Sequence, residues 1–519
     1  MTNLGKKIGS FVSGSFVRLI LRQKSDEEFE LGQLFVAGKD KDDYSIYQIK
    51  DLYYGSQIPD TSLELIAGYG LEREGVDLKI YEPELRNYIL ALAKPLIKVR
   101  DNGLYLPKKL PQFFGDLFEI REEHLHFFKE MSIEDPITLG KVRSGSKTLD
   151  IDVNVSASEI LRHHVLIPAT TGRGKSNLVK IILYNIIEND SCGKLVFDPH
   201  NEYYGTPKVK GLKEHPNSNR FIKYYTLRNV SGKLDLKFNT KYLYPSHVLG
   251  SIDLSQPQSD ALILYYRLYK KEWIQKIFDK NEPLPNGINP ITLSVLRRKL
   301  ALLLDFGFDD NDNIIENGIY YLNGYESTIE DIINFLIDGK TVIIDSSLFS
   351  GREEIFIATI IVESIFNRYK NYKFNDRLED KPVITIILEE APRVIGIKAL
   401  EAKENVFGKI AREGRKFKIG LIGITQLPSL IPREILANMN TKIILGNEMG
   451  PERRTLIESS AQDLSDDSQT IASLDIGEAI ITSNFTKFAI PIIIPLFDDL
   501  IKASRKPEKK IKKVSPGFS

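Results

Sequence analysis

Cysteine is almost absent, with Cys192 alone in 519 residues. That excludes an internal disulfide and any cysteine-rich zinc site, and it fits a reducing cytosol. Net charge is absent too, since 70 Lys and Arg balance 70 Asp and Glu. A globally basic nucleic-acid binder is therefore not indicated, though a local basic surface stays open. Long apolar runs are missing as well. The richest, "IFIATIIVESIF" and "FAIPIIIPLF", are shorter than the roughly 18 residues a membrane helix needs or are broken by proline. The early stretch "IGSFVSGSFVRLIL" alternates apolar with polar residues and reads as strand, not as a signal-sequence core. No internal repeat is visible. These absences predict a soluble, cytoplasmic protein without a membrane segment, long enough for more than one structural unit.

What is present falls into two parts. Over residues 1–140 short alternating segments follow one another: "SFVRLILR", "FELGQLFVA", "YSIYQIKDLYYG", "VDLKIYE" and "PLIKVRD". Turn-rich pieces such as "AGKDKDD" and "RDNG" separate them, which predicts a small β-barrel or sandwich. A helical piece, "EHLHFFKEM", follows. Nothing in this part looks catalytic, so it reads as a structural or docking module. From about Ile151 onward, and over residues 141–500 as a unit, apolar strands alternate with amphipathic helices. "HVLIP", "KLVFD", "TVIIDSS", "VITIIL", "IGLIGITQ" and "TKIILGN" are the strands. That α/β alternation predicts a largely parallel sheet covered on both faces. A mostly helical insertion is expected at about residues 242–338, where an aromatic stripe with the only tryptophan, Trp273, reads as packing. Residues 501–519 carry seven basic residues against one acidic and read as a solvated tail.

The chemistry begins at "ATTGRGKS", Ala169 to Ser176. It fits the P-loop pattern G-x-x-x-x-G-K-[ST], with alanine for the first glycine. An apolar strand precedes it and an amphipathic helix follows, as a phosphate cradle requires. Glycines let backbone N–H groups curl around phosphate oxygens, and the helix N-terminus adds its partial positive charge. Thr171, Gly172, Arg173, Gly174, Lys175, Ser176 and Asn177 are the candidate nucleotide contacts. Lys175 would bridge the β- and γ-phosphates and Ser176 would hold Mg²⁺.

Hydrolysis also needs acids nearby. "VITIILEEAPRV" ends a buried strand in Glu389 and Glu390. Two adjacent glutamates there are costly unless they face a cation or water; the first would serve the Mg²⁺ shell and the second would polarise water. "KLVFDPHNEYYG" puts Asp198 at another strand end, in line with the metal, with His200 and Glu202 ambiguous behind it. "KIAREGRKFKIGLIGITQLP" supplies Arg412 and Arg415, with Lys409 and Lys416 nearby, before a strand ending in Thr425 and Gln426. Alone, those four cations read as a solvated face. Beside a cradle, an arginine there could act as a finger, and the polar strand end could sense the γ-phosphate.

Together, "ATTGRGKSN", "FDPHNEYYG", "IILEEAPRV", the "AREGRKF…GITQLP" segment and "SLDIGEAIIT" resemble the HerA family, within the FtsK–HerA group of hexameric ATPase DNA translocases. The resemblance runs from roughly Ile137 to Phe497. It implies a RecA-like P-loop NTPase core preceded by a HAS-barrel-like domain, a homo-hexamer using ATP and Mg²⁺ to draw duplex DNA through its channel, and a NurA-type nuclease partner in DNA-end processing. It assigns Lys175 and Ser176 to the P-loop, Glu389 to the metal-side acid and Glu390 to the catalytic acid. Asp198 becomes the second acid near the metal, Arg415 the finger acting on a neighbour, Arg412 its runner-up, and Gln426 the strand-end glutamine. Pro392 stands where the family usually has histidine, and Leu427 where it has arginine. Two other classes share the P-loop core: a conjugation or secretion motor, against which the missing membrane helices count, and a nucleotide-binding ring that scaffolds a defence nuclease.

Overall fold

Inward-facing Leu19 and Leu21 alternate with less buried Ile20 and Arg22 on the strand Leu19–Gln23, the period-two pattern of a half-buried strand. The computed structural model describes residues 4–72, 87–101, 103–130, 133–310, 313–324, 327–401 and 405–504. Within them the first part of the chain closes into an antiparallel barrel. Its order is Leu19–Gln23, Lys7–Gly14, Asp116–Glu119, Leu34–Gly38, Asp43–Ser56 and Asn87–Arg100, and the last strand pairs back onto the first. The short strand Gly103–Tyr105 hangs on Asn87–Arg100. The pairing of the two long strands shifts register between Ile46 and Tyr47 and again between Ile49 and Asp51. Such bulges bend a strand enough to let a small barrel close. Phe11, Phe35 and Tyr47 fill its interior, with the Phe35 and Tyr47 rings stacked at 5.2 Å. A helix, Asp60–Glu72, lies in a stretch where alternation predicts nothing. The predicted strand "VDLKIYE" and residues 505–519 of the basic tail lie outside the described residues.

The second part is built on an eleven-stranded sheet. Ile222–Tyr225, Thr341–Asp345, Cys192–Asp198, Val383–Leu388, Ile419–Thr425, Val165–Pro168 and Thr441–Leu445 run parallel in that order. Six of these match the apolar runs read from the sequence. All residues of Val383–Leu388 and Ile419–Thr425 are buried, as expected for strands covered on both faces. The sheet then continues antiparallel through Glu478–Thr482, Ile490–Ile493 and the hairpin Pro136–Ser144 and Lys147–Ser156. Helix Gly351–Phe374 packs against the parallel part; its first turn is closed by a capping box in which Ser350 and Glu353 bond each other's backbone N–H. Between Tyr242 and Asp338 the helices Pro245–Leu249, Gln256–Tyr269, Trp273–Phe278, Pro290–Leu304 and Ile329–Ile337 are joined by short strands. Trp273 is fully buried there, and its indole N–H donates to the Leu243 carbonyl at 2.9 Å. Among the described residues no helix is long and apolar enough to cross a membrane.

Parallel strands put their C-terminal ends on one edge. Pro168, Asp198, Asp345, Leu388, Thr425 and Leu445 therefore share an edge, and the loops that follow them build the site.

A buried ion cluster joins the barrel to the segment before the helix Ser468–Ala472. Lys50, on the barrel strand Asp43–Ser56, donates to Asp467, and Lys94 of Asn87–Arg100 reaches the other carboxylate oxygen of Asp467 at 2.7 Å. Burial pulls the Lys50 ammonium down to about 8, against the attraction of Asp467. Burial alone would raise Asp467, but the two lysines hold it below its usual value. Removing one partner of such a cluster leaves a buried charge uncompensated. Asp467→Ala is therefore expected to destabilise the native protein by about 3–5 kcal/mol. Replacing all three charges with apolar side chains, as in Lys50→Met with Lys94→Met and Asp467→Leu, should recover most of that loss. Denaturant midpoints read both outcomes, and equal midpoints for native and Asp467→Ala would show that the cluster adds nothing. The contribution of Asp467 is present above its unfolded pKa of about 3.9 and is lost as pH falls through the depressed folded value.

Candidate functional site

The strand Val165–Pro168 ends in the turn that the sequence marks as a cradle. Gly172 and Gly174 sit at φ 80° and 98°. A Cβ on Gly172 would meet nothing within 4 Å, so the glycine is needed for its backbone angle and not for space. The loop is sewn to its neighbours. The Ala169 N–H donates to Thr425 O at 3.0 Å and the Thr170 N–H to Gly446 O at 3.2 Å. The Thr171 hydroxyl donates to Gln426 Oε1 at 2.9 Å, which brings the predicted strand-end glutamine onto the cradle. Helix Lys175–Asn185 starts directly after it. Lys175 Nζ donates to the Ala169 and Thr170 carbonyls at 3.0 and 3.1 Å, folding its charge over its own loop. Burial lowers the Lys175 ammonium from its usual value, and the nearby charges of Glu389 and Glu390 oppose that. Ser176 is half-buried on the first turn. Asn177 points elsewhere: its amide donates to Pro495 O at 2.9 Å and accepts from the Phe497 N–H at 2.8 Å, tying the helix to the segment after Ile490–Ile493.

Glu389 and Glu390 follow the strand Val383–Leu388 and differ sharply. Burial raises the Glu389 carboxyl above its usual value, and a hydrogen bond donated by the Tyr203 hydroxyl works against the rise. Glu390 is exposed and stands at φ 52°, a left-handed angle that costs a glutamate about 1–3 kcal/mol. The turn is held by Ala391 N–H to Ile424 O and Arg393 N–H to Glu390 O, both at 2.9 Å. Pro392 opens the short helix Pro392–Ile395, a position where proline's missing N–H costs nothing. Asp198 is fully buried, and its two oxygens accept the Glu202 and Tyr203 N–H groups at 3.0 and 2.9 Å. Burial raises its carboxyl, which those two bonds oppose. Asp198 also lies in register with Asp345, whose burial would raise its carboxyl but which hydrogen bonds from Ser347, Thr226 and Tyr224 hold below its usual value; Arg228 Nε donates to it at 3.1 Å.

The arginines lie apart from this edge. Arg412 is paired with Glu434, its Nε and guanidinium nitrogen donating to one oxygen at 3.0 and 2.8 Å. Arg415 is exposed in the single turn Gly414–Phe417, before the start of the strand Ile419–Thr425 and thus at the opposite edge from the cradle.

Two residues of the site escape a reading of motifs. Tyr203 links Asp198 to Glu389. Glu448 accepts from Arg173 and from Thr170, the latter at 2.8 Å, and Arg173 also donates to Leu474 O at 2.9 Å. The Arg173 and Thr170 hydrogen bonds hold Glu448 down to about 2. Its signal was available, since the strand Thr441–Leu445 ends on the same edge and a polar residue soon after it faces the same crevice.

These residues suit a nucleoside triphosphate with Mg²⁺: an open turn of N–H groups, a lysine folded over it, the half-buried Glu389 and the exposed Glu390 at the neighbouring strand end, and the buried Asp198 beyond them. Mg²⁺ keeps several waters and needs only one or two carboxylates plus phosphate oxygens, so a dedicated protein cage is not required.

Comparison with known proteins agrees with the motifs. The family described as "Helicase HerA, central domain" matches residues 137–365. The DNA double-strand break repair helicase HerA of Saccharolobus solfataricus is 25% identical over 467 residues, 85% of this chain and 86% of that protein. The protein of the same name from Pyrococcus furiosus is 24% identical over 399 residues, covering 67% and 68%. Among solved structures, VirB4 of Thermoanaerobacter pseudethanolicus aligns with a TM-score of 0.44 at 16% identity, over 70% of this chain and 97% of that one. The plasmid coupling protein TrwB in complex with ADP and Mg²⁺ aligns with a TM-score of 0.45 at 13% identity, over 71% and 92%. Residues 137–365 match the family described as the HerA helicase central domain, and the chain is similar to HerA helicases along most of its length.

Proposed function

We propose that this protein is an ATP-driven duplex-DNA translocase of HerA type, working as a hexameric ring with a NurA-type nuclease in DNA-end processing. One observation carries the reading: the positive-φ cradle of Gly172 and Gly174, with Lys175, stands beside Glu389 and Glu390 and is bonded to Gln426. Backbone N–H groups of residues 171–176 would hold the phosphates, and Lys175 would leave its loop carbonyls for the β- and γ-phosphate oxygens. Ser176, Glu389 and Asp198 would hold Mg²⁺, which neutralises charge developing on the phosphates. Glu390 would take the proton of the attacking water. Gln426, bonded to Thr171, would report the γ-phosphate to the strand behind it. The similarity to proteins named DNA double-strand break repair helicases supports DNA as the track. The barrel of residues 1–140 would dock the nuclease, and residues 141–500 would form the motor with the insertion at 242–338 and the basic tail at 501–519.

ATP hydrolysis measured with and without linear duplex DNA tests the motor. DNA is expected to raise the rate several-fold, with the stimulation falling as salt rises, because contacts to phosphates release counterions. A rate indifferent to DNA at low salt would remove the translocase reading. Mass in solution with nucleotide present tests the ring, and a strict monomer would sink it.

A further inference from the structure

Tyr203 is 1% exposed, yet it reaches two of the site's acids. Its N–H donates to Asp198 Oδ2 at 2.9 Å, and its hydroxyl donates to Glu389 Oε1. The acids come from neighbouring strands, Cys192–Asp198 and Val383–Leu388, paired Phe197 to Leu388 at their ends. The loop that carries Tyr203 is fixed on both sides. The Leu212 N–H donates to the Tyr203 carbonyl at 2.8 Å. Tyr204 stacks on Tyr224 at 3.9 Å and 4°, and the Tyr224 hydroxyl bonds Asn201 and Asp345, each at 3.1 Å. A buried phenol needs a partner for its O–H, and here a rigid loop delivers that O–H to a half-buried carboxylate. Glu389 Oε2 makes no hydrogen bond among the described residues, so only one oxygen of the pair is held back.

We infer that Tyr203 is a positioning residue: its hydroxyl fixes Glu389 by Oε1 so that Oε2 faces the cradle, and its N–H holds Asp198 in the same frame. The assignment rests on the reading of the site as an Mg²⁺–ATP centre. Groups that orient a metal-side carboxylate are worth about ten- to hundredfold in metal affinity or activity.

Tyr203→Phe removes the hydroxyl and keeps the ring. The Mg²⁺ concentration for half-maximal hydrolysis is expected to rise about tenfold or more, with a smaller fall in kcat at saturating Mg²⁺. Calorimetric binding of a non-hydrolysable ATP analogue should show the same added Mg²⁺ demand, while binding without Mg²⁺ stays as in the native protein. In a Glu389→Gln background, Tyr203→Phe should add nothing. An unchanged Mg²⁺ demand, a loss confined to kcat, losses that multiply in the double variant, or a Phe variant that does not fold would each overturn the assignment. If the native protein binds the analogue with Mg²⁺ but does not hydrolyse ATP, the motor reading fails while the binding arm still decides the role of Tyr203.

Discussion

Glu390→Gln is expected to lower the rate of ATP hydrolysis by about 10²–10⁴-fold, the usual worth of a general base, and to leave nucleotide binding near native. The contrast between the adjacent glutamates is the reason. Glu389 is half-buried and engaged by Tyr203, which suits a fixed metal-side ligand. Glu390 is exposed, is turned out by a left-handed backbone, and lies near enough to Lys175 to act on its charge. The turn that places it costs free energy that a glycine would not, so the side chain is kept there at the expense of stability. Glutamine matches glutamate in shape and can orient water, but it cannot take a proton. Steady-state hydrolysis alongside binding of an ATP analogue separates the two effects. A Gln variant that turns over at the native rate would move the base elsewhere.

Much of this fold is legible in the sequence. The parallel strands are runs of Val, Ile and Leu bounded by helices, and burial on both faces leaves little choice of pattern for such strands. The P-loop is legible because its glycines, lysine and serine are local. The antiparallel extension was not. "FAIPIIIPLF" holds two prolines, yet Ile490–Ile493 is a strand in which Pro491 pairs with Ile480 and only Ile492 and Ile493 pair with the hairpin Pro136–Ser144. Proline is tolerated where a ladder hydrogen bond is not demanded of it. "EHLHFFKEM" splits into the turn Glu122–Leu125 and a separate helical turn at Phe127–Glu130. The contacts of Tyr203 and Glu448 were invisible for another reason. Their partners lie far along the chain, 186 residues away for Tyr203 and Glu389 and 275 for Glu448 and Arg173. Each contact exists only because parallel strands gather distant segments at one edge.

If Arg415 is the finger that the HerA resemblance implies, Arg415→Ala should cost about 10³–10⁵-fold in hydrolysis, and its place in the fold limits how it would act. The strand Ile419–Thr425 is seven residues long, about 20 Å at ~3.3 Å per residue. Thr425 is at the cradle end, where its carbonyl accepts the Ala169 N–H, while Arg415 precedes the other end, where its carbonyl accepts from Arg162 Nε at 3.4 Å. Arg415 is therefore too far from the cradle of its own chain to touch a phosphate there. Its guanidinium is exposed, whereas Arg412 is committed to Glu434, so of the two Arg415 is the one free to reach a second subunit. A mixing experiment follows. Lys175→Ala has a dead cradle and an intact arginine, and Arg415→Ala has the reverse. If the arginine acts across an interface, mixing the two inactive variants restores sites that combine the cradle of one with the arginine of the other. Hydrolysis should then exceed the sum of the separate rates by more than tenfold, given the size of the finger effect. Full activity of Arg415→Ala alone would remove the residue from the mechanism. A deep loss that mixing cannot rescue, with mixed rings verified by mass, would place its action within its own chain.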